Sequence, residues 1–211
     1  NMSIKDVAQA VSEVGITFLF AQIFHPSMKH VAPTRKALGV PTAFNYLGPM
    51  TNPAQVRSSA IGVADHEMAE RIAQVFASRG DHALIVRGSD GLDEITITGP
   101  SYVWETFDGE VTAYELNPED CGFPLGVMGD LRGGDAKHNA QVVHETLKGS
   151  VGPIMDAVLL NAAAAITAYS PVEGISFDQR FAEGIGRARE AIDSGKALQV
   201  LEKWVSYSAN K

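Results

Sequence analysis

The chain has 211 residues, 45% of them hydrophobic, and a formal net charge of −8. That length and content suit one large domain, or a domain and a half, with a sizeable core, and no apolar run approaches the length of a membrane span. The acidic balance argues against a broad nucleic-acid surface, which needs a basic stripe. The single cysteine, Cys121, cannot form an internal disulfide. With no basic-then-apolar segment at the start, a reducing cytoplasm is the expected compartment.

Ser3-Ile4-Lys5-Asp6 opens the first predicted helix, with Ser3 as N-cap and Asp6 in the first turn. Ile4, Val7, Ala8, Val11 and Val14 follow at helical spacing, and Gly15 ends the element. Residues 16–23 form an apolar run of strand or helix character. Pro26 suits the first turn of a second helix that reaches Leu38, with Gly39 as its stop. Pro33 within that helix should kink or split it. Residues 40–54 are dense in turn formers, among them Pro41, Asn45, Gly48, Pro49, Asn52 and Pro53, and predict a short helix and a shaped loop.

A strand over 58–64, a helix capped by Asp65 and closed by Gly80, and a strand over 82–87 predict a parallel pair with a right-handed crossover. Residues 101–107 and 110–116 alternate apolar and polar side chains around Asp108-Gly109, the turn chemistry of a tight hairpin. After Gly122 the chain turns helical. Asp135 caps a helix to Lys148, and Pro153 opens another to about Tyr169 that is apolar nearly all round and hence buried. Residues 177–193 and 197–207 predict two amphipathic helices. Repeats, low-complexity tracts and an interdomain linker are absent.

Two stretches carry chemistry. Asp90-Gly91-Leu92-Asp93-Glu94 holds three carboxylates in five residues, directly after the buried strand that contains Leu84-Ile85-Val86. Ligands bind beyond the carboxyl ends of strands in open α/β sheets. Clustered carboxylates there attract a hard cation such as Mg²⁺, which keeps several waters and bridges to substrate phosphates; the alternative is an acidic solvated loop. The second stretch is basic. His25, Lys29, His30, Arg35 and Lys36 fall within twelve residues of an otherwise acidic chain and could receive an anionic substrate.

The segment Phe24-His25-Pro26-Ser27-Met28-Lys29, continued through Arg35 and Leu38-Gly39-Val40-Pro41-Thr42, precedes Asn45-Tyr46-Leu47-Gly48-Pro49-Met50-Thr51-Asn52-Pro53. With Asp90 to Glu94, Gly133-Gly134-Asp135-Ala136 and Leu160-Asn161-Ala162, this order resembles the anthranilate phosphoribosyltransferase family. The resemblance runs from about residue 3 to the C-terminus. It implies an α/β fold: a mixed, largely parallel sheet flanked by helices, the nucleoside phosphorylase or phosphoribosyltransferase type of large domain, with part of a smaller helical domain. Residues 1–55 would be the helical segment leading to the small domain and the anthranilate site, and 56–211 the α/β domain.

The implied reaction transfers a phosphoribosyl group from phosphoribosyl pyrophosphate to anthranilate in tryptophan biosynthesis and releases pyrophosphate. It needs leaving-group stabilisation more than a strong base, which is a task for Mg²⁺. The resemblance makes Asp93 and Glu94 the metal ligands and Arg35 the group that meets the anthranilate carboxylate. His25 would line the anthranilate route, and Gly48 with Pro49 would wall the aromatic pocket. No residue is singled out as acid, base or nucleophile. Asp90 is expected to shape its turn, Leu92 to anchor the loop to the core, Asn45 and Asn52 to bond their own loop, and Asn161 to tie its helix to a loop. Cys121, with no adjacent basic residue, is expected to be inert. A homodimer through the helical part is also implied, with no nucleic acid and no membrane as partner.

One departure stands out. The family's glycine-rich G-T-G-G-D phosphate loop and its K-H-G-N segment do not occur here. The expectation is therefore the C-terminal part of a longer enzyme, inactive on its own and prone to expose apolar surface. Two other readings are open: a pyrimidine nucleoside phosphorylase-like enzyme, which needs no Asp-Glu metal pair, and a non-catalytic relative that binds nucleic acid through a local basic groove.

Overall fold

The computed structural model describes residues 2–40, 42–170 and 172–211; the expected turn former Pro41 lies outside them. Backbone contacts divide the chain into two compact units, Asn1–Ala54 with Ser194–Lys211, and Gln55–Asp193. The last helix therefore groups with the first residues of the chain, whereas the expected division at 55/56 put it with the α/β part. The physical ties are local. The Tyr207 hydroxyl donates to the Asp6 carbonyl at 3.1 Å, and the Lys211 ammonium lies 3.5 Å from the Asp6 carboxylate.

The first unit is helical. Helix α1 (Ile4–Glu13) starts at a capping box in which the Asp6 amide donates to the Ser3 hydroxyl and the Asp6 carboxylate reaches back to Ser3. It buries Val7 and Ala10. The apolar run after it holds only one turn of helix, α2 (Ala21–Phe24), with no strand. Helix α3 (Met28–Leu38) begins two residues after Pro26 and ends at Gly39 in the left-handed conformation. Pro33 neither ends nor splits it; the cost is one missing N–H donor within a single continuous element. A 3₁₀ turn (Ala43–Asn45) and α4 (Leu47–Met50) are the short helical pieces expected in 40–54, and α9 (Lys196–Ala209) completes the unit.

The second unit is a four-stranded sheet with helices packed on it, in the order β1 (Ser58–Gly62), β2 (His82–Gly88), β3 (Ser101–Phe107), β4 (Glu110–Leu116). The sheet is mixed, as expected. Its parallel share is confined to β1–β2; β2–β3 and β3–β4 are antiparallel. The parallel predominance implied by the resemblance is thus not found among the described strands: β3–β4 closes as the expected antiparallel hairpin, and β2–β3 is antiparallel as well. Asp108 and Gly109 turn it with φ of 49° and 81°, the double positive φ of a type I′ turn. The crossover from β1 to β2 is α5 (His66–Ser78), whose N-cap Asp65 accepts from the Met68 amide at 3.0 Å.

Helix α6 (Ala136–Leu147) precedes α7 (Pro153–Tyr169), which runs through the core. Leu159, Leu160 and Ala163 are fully buried on it. Each leucine contributes about 1.5–3 kcal/mol by leaving water. Small residues let α8 (Phe177–Asp193) approach closely: a Cβ on Gly184 would stand 2.9 Å from the Ala163 carbonyl oxygen. A buried ion cluster fastens α8 to the sheet. Arg180 donates to both oxygens of Glu105, at 2.7 and 2.8 Å, and His82 Nε2 lies 3.1 Å from the same carboxylate. Burial by itself would raise the Glu105 carboxyl. The hydrogen bonds from His82 and Arg180 and the Arg180 charge more than reverse this, lowering it from 4.5 to about 2. Among the described residues no helix is long and apolar enough to cross a membrane.

Candidate functional site

Beyond Gly88 the chain leaves the sheet, turns through residues 89–94 and is buried again at Ile95, Thr96 and Ile97. Asp90 makes the turn. Its Oδ2 accepts from the hydroxyls of Thr96 and Thr98 at 2.5 and 2.7 Å, and its Oδ1 from the Leu92 amide at 3.1 Å. Partial burial pushes this carboxyl up, but those hydrogen bonds outweigh it and hold the group below the ordinary aspartate value. With its lone pairs committed in this way, Asp90 shapes the loop, as expected. Leu92 is only half-buried; the deep anchors are Ile95 and Ile97.

Asp93 and Glu94 differ from Asp90. Both are exposed, and among the described residues neither carboxylate is engaged by a hydrogen bond or ion pair. Their backbone is nonetheless tightly held. A Cβ on Gly62, the last residue of β1, would fall 1.6 Å from the Asp93 carbonyl oxygen, so the loop lies directly on a position where only hydrogen fits. Two free carboxylates on a braced loop at the carboxyl ends of β1 and β2 offer oxygen donors of the kind a hard cation uses. No group of three or more His, Cys, Asp or Glu side chains able to hold a metal gathers among the described residues. A cation here would take its remaining ligands from water and from a ligand's oxygens, which suits Mg²⁺ better than the fuller protein cage of Ca²⁺.

Asn161 of α7 meets the same loop. Its Oδ1 accepts the Ile95 amide at 2.9 Å, and its Nδ2 donates to the Ile95 carbonyl at 2.9 Å and to the Ala157 carbonyl at 3.0 Å. This is the helix-to-loop tie expected of it. A recess of about 810 Å³ opens beside the loop, with Leu92, Glu94, Arg132, Asn139 and Asn161 on its wall together with apolar side chains of α6 and α7. Asn139 pins the other loop of the recess in the same manner: its Oδ1 accepts the Gly134 amide at 2.8 Å and its Nδ2 donates to the Gly134 carbonyl at 3.2 Å. The contact of Gly62 and the loop pin made by Asn139 did not emerge from the sequence, where Gly62 fell inside the predicted strand 58–64.

The helical unit carries the other expected residues. Arg35 lies in the last turn of α3, half-buried, with its Nη2 3.4 Å from Asn45 Oδ1. Asn45 Oδ1 also accepts from the Thr42 amide at 3.0 Å and faces its hydroxyl at 3.3 Å. Asn52 Oδ1 accepts from the Ala54 amide at 2.9 Å. Both asparagines thus bond their own loop, and Asn45 additionally aims Arg35. A cleft of about 400 Å³ is lined by Arg35, Lys36, Val40 and Asn45. His25, half-buried at the end of α2, and Gly48 and Pro49, in α4, lie outside that lining. Cys121 is half-buried; burial first, then the charges of Asp120 and Asp178, push its thiol up to about 11.

Residues 1–198 match the family described as "Glycosyl transferase family, a/b domain". The chain is 52% identical over 206 residues to the anthranilate phosphoribosyltransferase of Arthrobacter sp. (strain FB24), covering 98% of this chain and 58% of that protein. It resembles the crystal structure of anthranilate phosphoribosyltransferase from Thermus thermophilus with a TM-score of 0.84 at 39% identity, over 96% of this chain and 58% of that one. The Saccharomyces cerevisiae enzyme in complex with PRPP and Mg also matches with a TM-score of 0.84, at 30% identity, over 99% of this chain and 60% of that one. The chain therefore spans somewhat over half the length of the relatives it matches.

Proposed function

The chain belongs to the glycosyl transferase family, a/b domain, and we propose that it forms part of an anthranilate phosphoribosyltransferase. In this reading the amine nitrogen of anthranilate bonds to C1 of phosphoribosyl pyrophosphate, the bond from C1 to the pyrophosphate oxygen breaks, and the amine gives up a proton. Asp93 and Glu94 would hold Mg²⁺ against the diphosphate; when bound, the ion supplies charge stabilisation to the departing oxygen. Arg35, whose planar guanidinium can bond a carboxylate through two parallel N–H groups, would receive the carboxylate of anthranilate. Gly48 and Pro49 would wall the ring, and His25 would line its route. A cytoplasmic homodimer belongs to the same reading.

The observation that carries it is the contrast within one five-residue loop. Asp90 is consumed by hydrogen bonds, while Asp93 and Glu94, with no partner among the described residues, stand on a backbone that Gly62 and Asn161 hold in place. A purely structural acidic turn would not need the other two carboxylates. The yeast relative bound to PRPP and Mg supports the choice of ligands. The test follows the loss of anthranilate fluorescence with phosphoribosyl pyrophosphate and Mg²⁺, in the natural polypeptide that contains these residues. Changing Asp93→Asn together with Glu94→Gln should remove most turnover. Near-wild-type turnover of that variant at ordinary Mg²⁺ would overturn the assignment.

A further inference from the structure

Ile95 follows Glu94 directly, and both of its main-chain polar groups are satisfied by one side chain, Asn161, 66 residues away. Asn161 treats Ile95 as a neighbouring strand would, accepting its N–H and donating to its carbonyl. The third hydrogen bond, from Nδ2 to the Ala157 carbonyl one helical turn back, fixes the amide's orientation on α7. Both donor hydrogens of the amide are thereby used, and no other side chain of this size supplies the same donor–acceptor pair. The Ile95 side chain is almost fully buried, so the segment after the carboxylates cannot slide. On the other side of the pair, the Asp93 carbonyl rests against Gly62.

We propose that Asn161 is a positioning residue for Asp93 and Glu94: by clamping Ile95 to α7 it fixes the backbone that carries the two carboxylates, without itself touching the ion. The inference rests on the reading of that pair as a metal site and adds a residue to it. Groups that orient metal ligands from behind commonly govern metal affinity by about 10–100-fold. A residue that merely stabilised the fold would leave affinity unchanged in any variant that still folds.

The experiment measures free Mn²⁺ by electron paramagnetic resonance in the presence of inorganic pyrophosphate, using the natural polypeptide that contains this chain. Asn161→Ala suits the helix interior and should fold, with Mn²⁺ affinity lowered about 10–100-fold. Asn161→Asp keeps the acceptor for the Ile95 amide, loses both donors and adds a negative charge. Simple attraction would tighten cation binding in that variant, so weaker binding supports the positioning role and tighter binding opposes it. It also decides the question alone if Asn161→Ala does not fold. Asn139→Ala removes the equivalent pin of the other loop and should leave affinity within about twofold of wild type, a spread that corresponds to less than half a kcal/mol. If the Asp93→Asn, Glu94→Gln protein binds as well as wild type, the metal reading itself fails. If that protein loses binding while both Asn161 variants bind like wild type, the metal reading stands and the role given to Asn161 is overturned.

Discussion

Gly62 lies against Asp93 so closely that a methyl group on it would stand 1.6 Å from the Asp93 carbonyl oxygen. The end of β1 and the carboxylate loop are therefore one mechanical piece. Gly62→Ala forces the loop off the strand, because the atom in the way is backbone and cannot rotate aside. Overpacking of this kind costs about 1–3 kcal/mol, and each kcal/mol lowers the melting temperature of a protein this size by about 2–4 °C. A thermal melt of Gly62→Ala checks it; an unchanged midpoint would show that the contact is not made.

Arg35 is the second target. Arg35→Ala should raise the KM for anthranilate and leave that for phosphoribosyl pyrophosphate nearly intact. A hydrogen bond to a charged group contributes about 1.5–3 kcal/mol, which corresponds to roughly 10–150-fold in affinity. Steady-state kinetics at saturating phosphoribosyl pyrophosphate supply the measurement, and an unchanged anthranilate KM would count against the role.

The Glu105–Arg180 ion pair, with His82 beside it, predicts an acid transition. The Glu105 carboxyl is lowered from 4.5 in the unfolded chain to about 2 in the fold. Its contribution to stability is thus complete above pH 4.5 and is lost as pH falls from there toward 2. Urea midpoints taken between about pH 7 and pH 2 should fall through that window. In Glu105→Gln the pH dependence there should flatten, and at neutral pH the protein should be about 3–5 kcal/mol less stable because the Arg180 charge stays buried without its partner.

Cys121 should resist alkylation. With its thiol pushed up to about 11, about one molecule in a thousand or fewer carries a thiolate at pH 8. Iodoacetamide at that pH should label the folded protein far more slowly than the urea-unfolded chain, as read by intact mass. Equal rates would mean that the half-buried site opens freely.

Much of the fold was legible because its signals are local. Ser3 and Asp6 sit three residues apart, Asp108-Gly109 names its own turn, and Asp65 and Asp135 cap helices that begin at the next residue. Pro26 misled by two residues, since Ser27 precedes the first helical position, and Pro33 was absorbed without a break. The antiparallel pairing of β2 with β3 was not legible, because pairing partners beyond the nearest hairpin carry no local mark. At the candidate site, the residue types of Asp93, Glu94 and Arg35 could be read, and so could the tie made by Asn161. What it ties could not, because 66 residues separate Asn161 from Ile95. Gly62 was hidden for a related reason: its importance lies in a hydrogen atom, and only the packed loop shows why nothing larger fits.

The strand order has a kinetic meaning. All four strands pair in sequence order, but only β2, β3 and β4 do so antiparallel, as a meander. Hairpins of this kind close in about 1–10 μs. The parallel contact with β1 must wait for α5 to be laid down between the strands, and closure of Asn161 on Ile95 must wait for the whole stretch from 95 to 161 to collapse. The two carboxylates that matter most to the proposed chemistry are therefore carried by a loop that takes its final shape late. Until that closure an early collapsed chain has the meander but not the ordered loop, so the proposed cation binding would report the last stage of assembly.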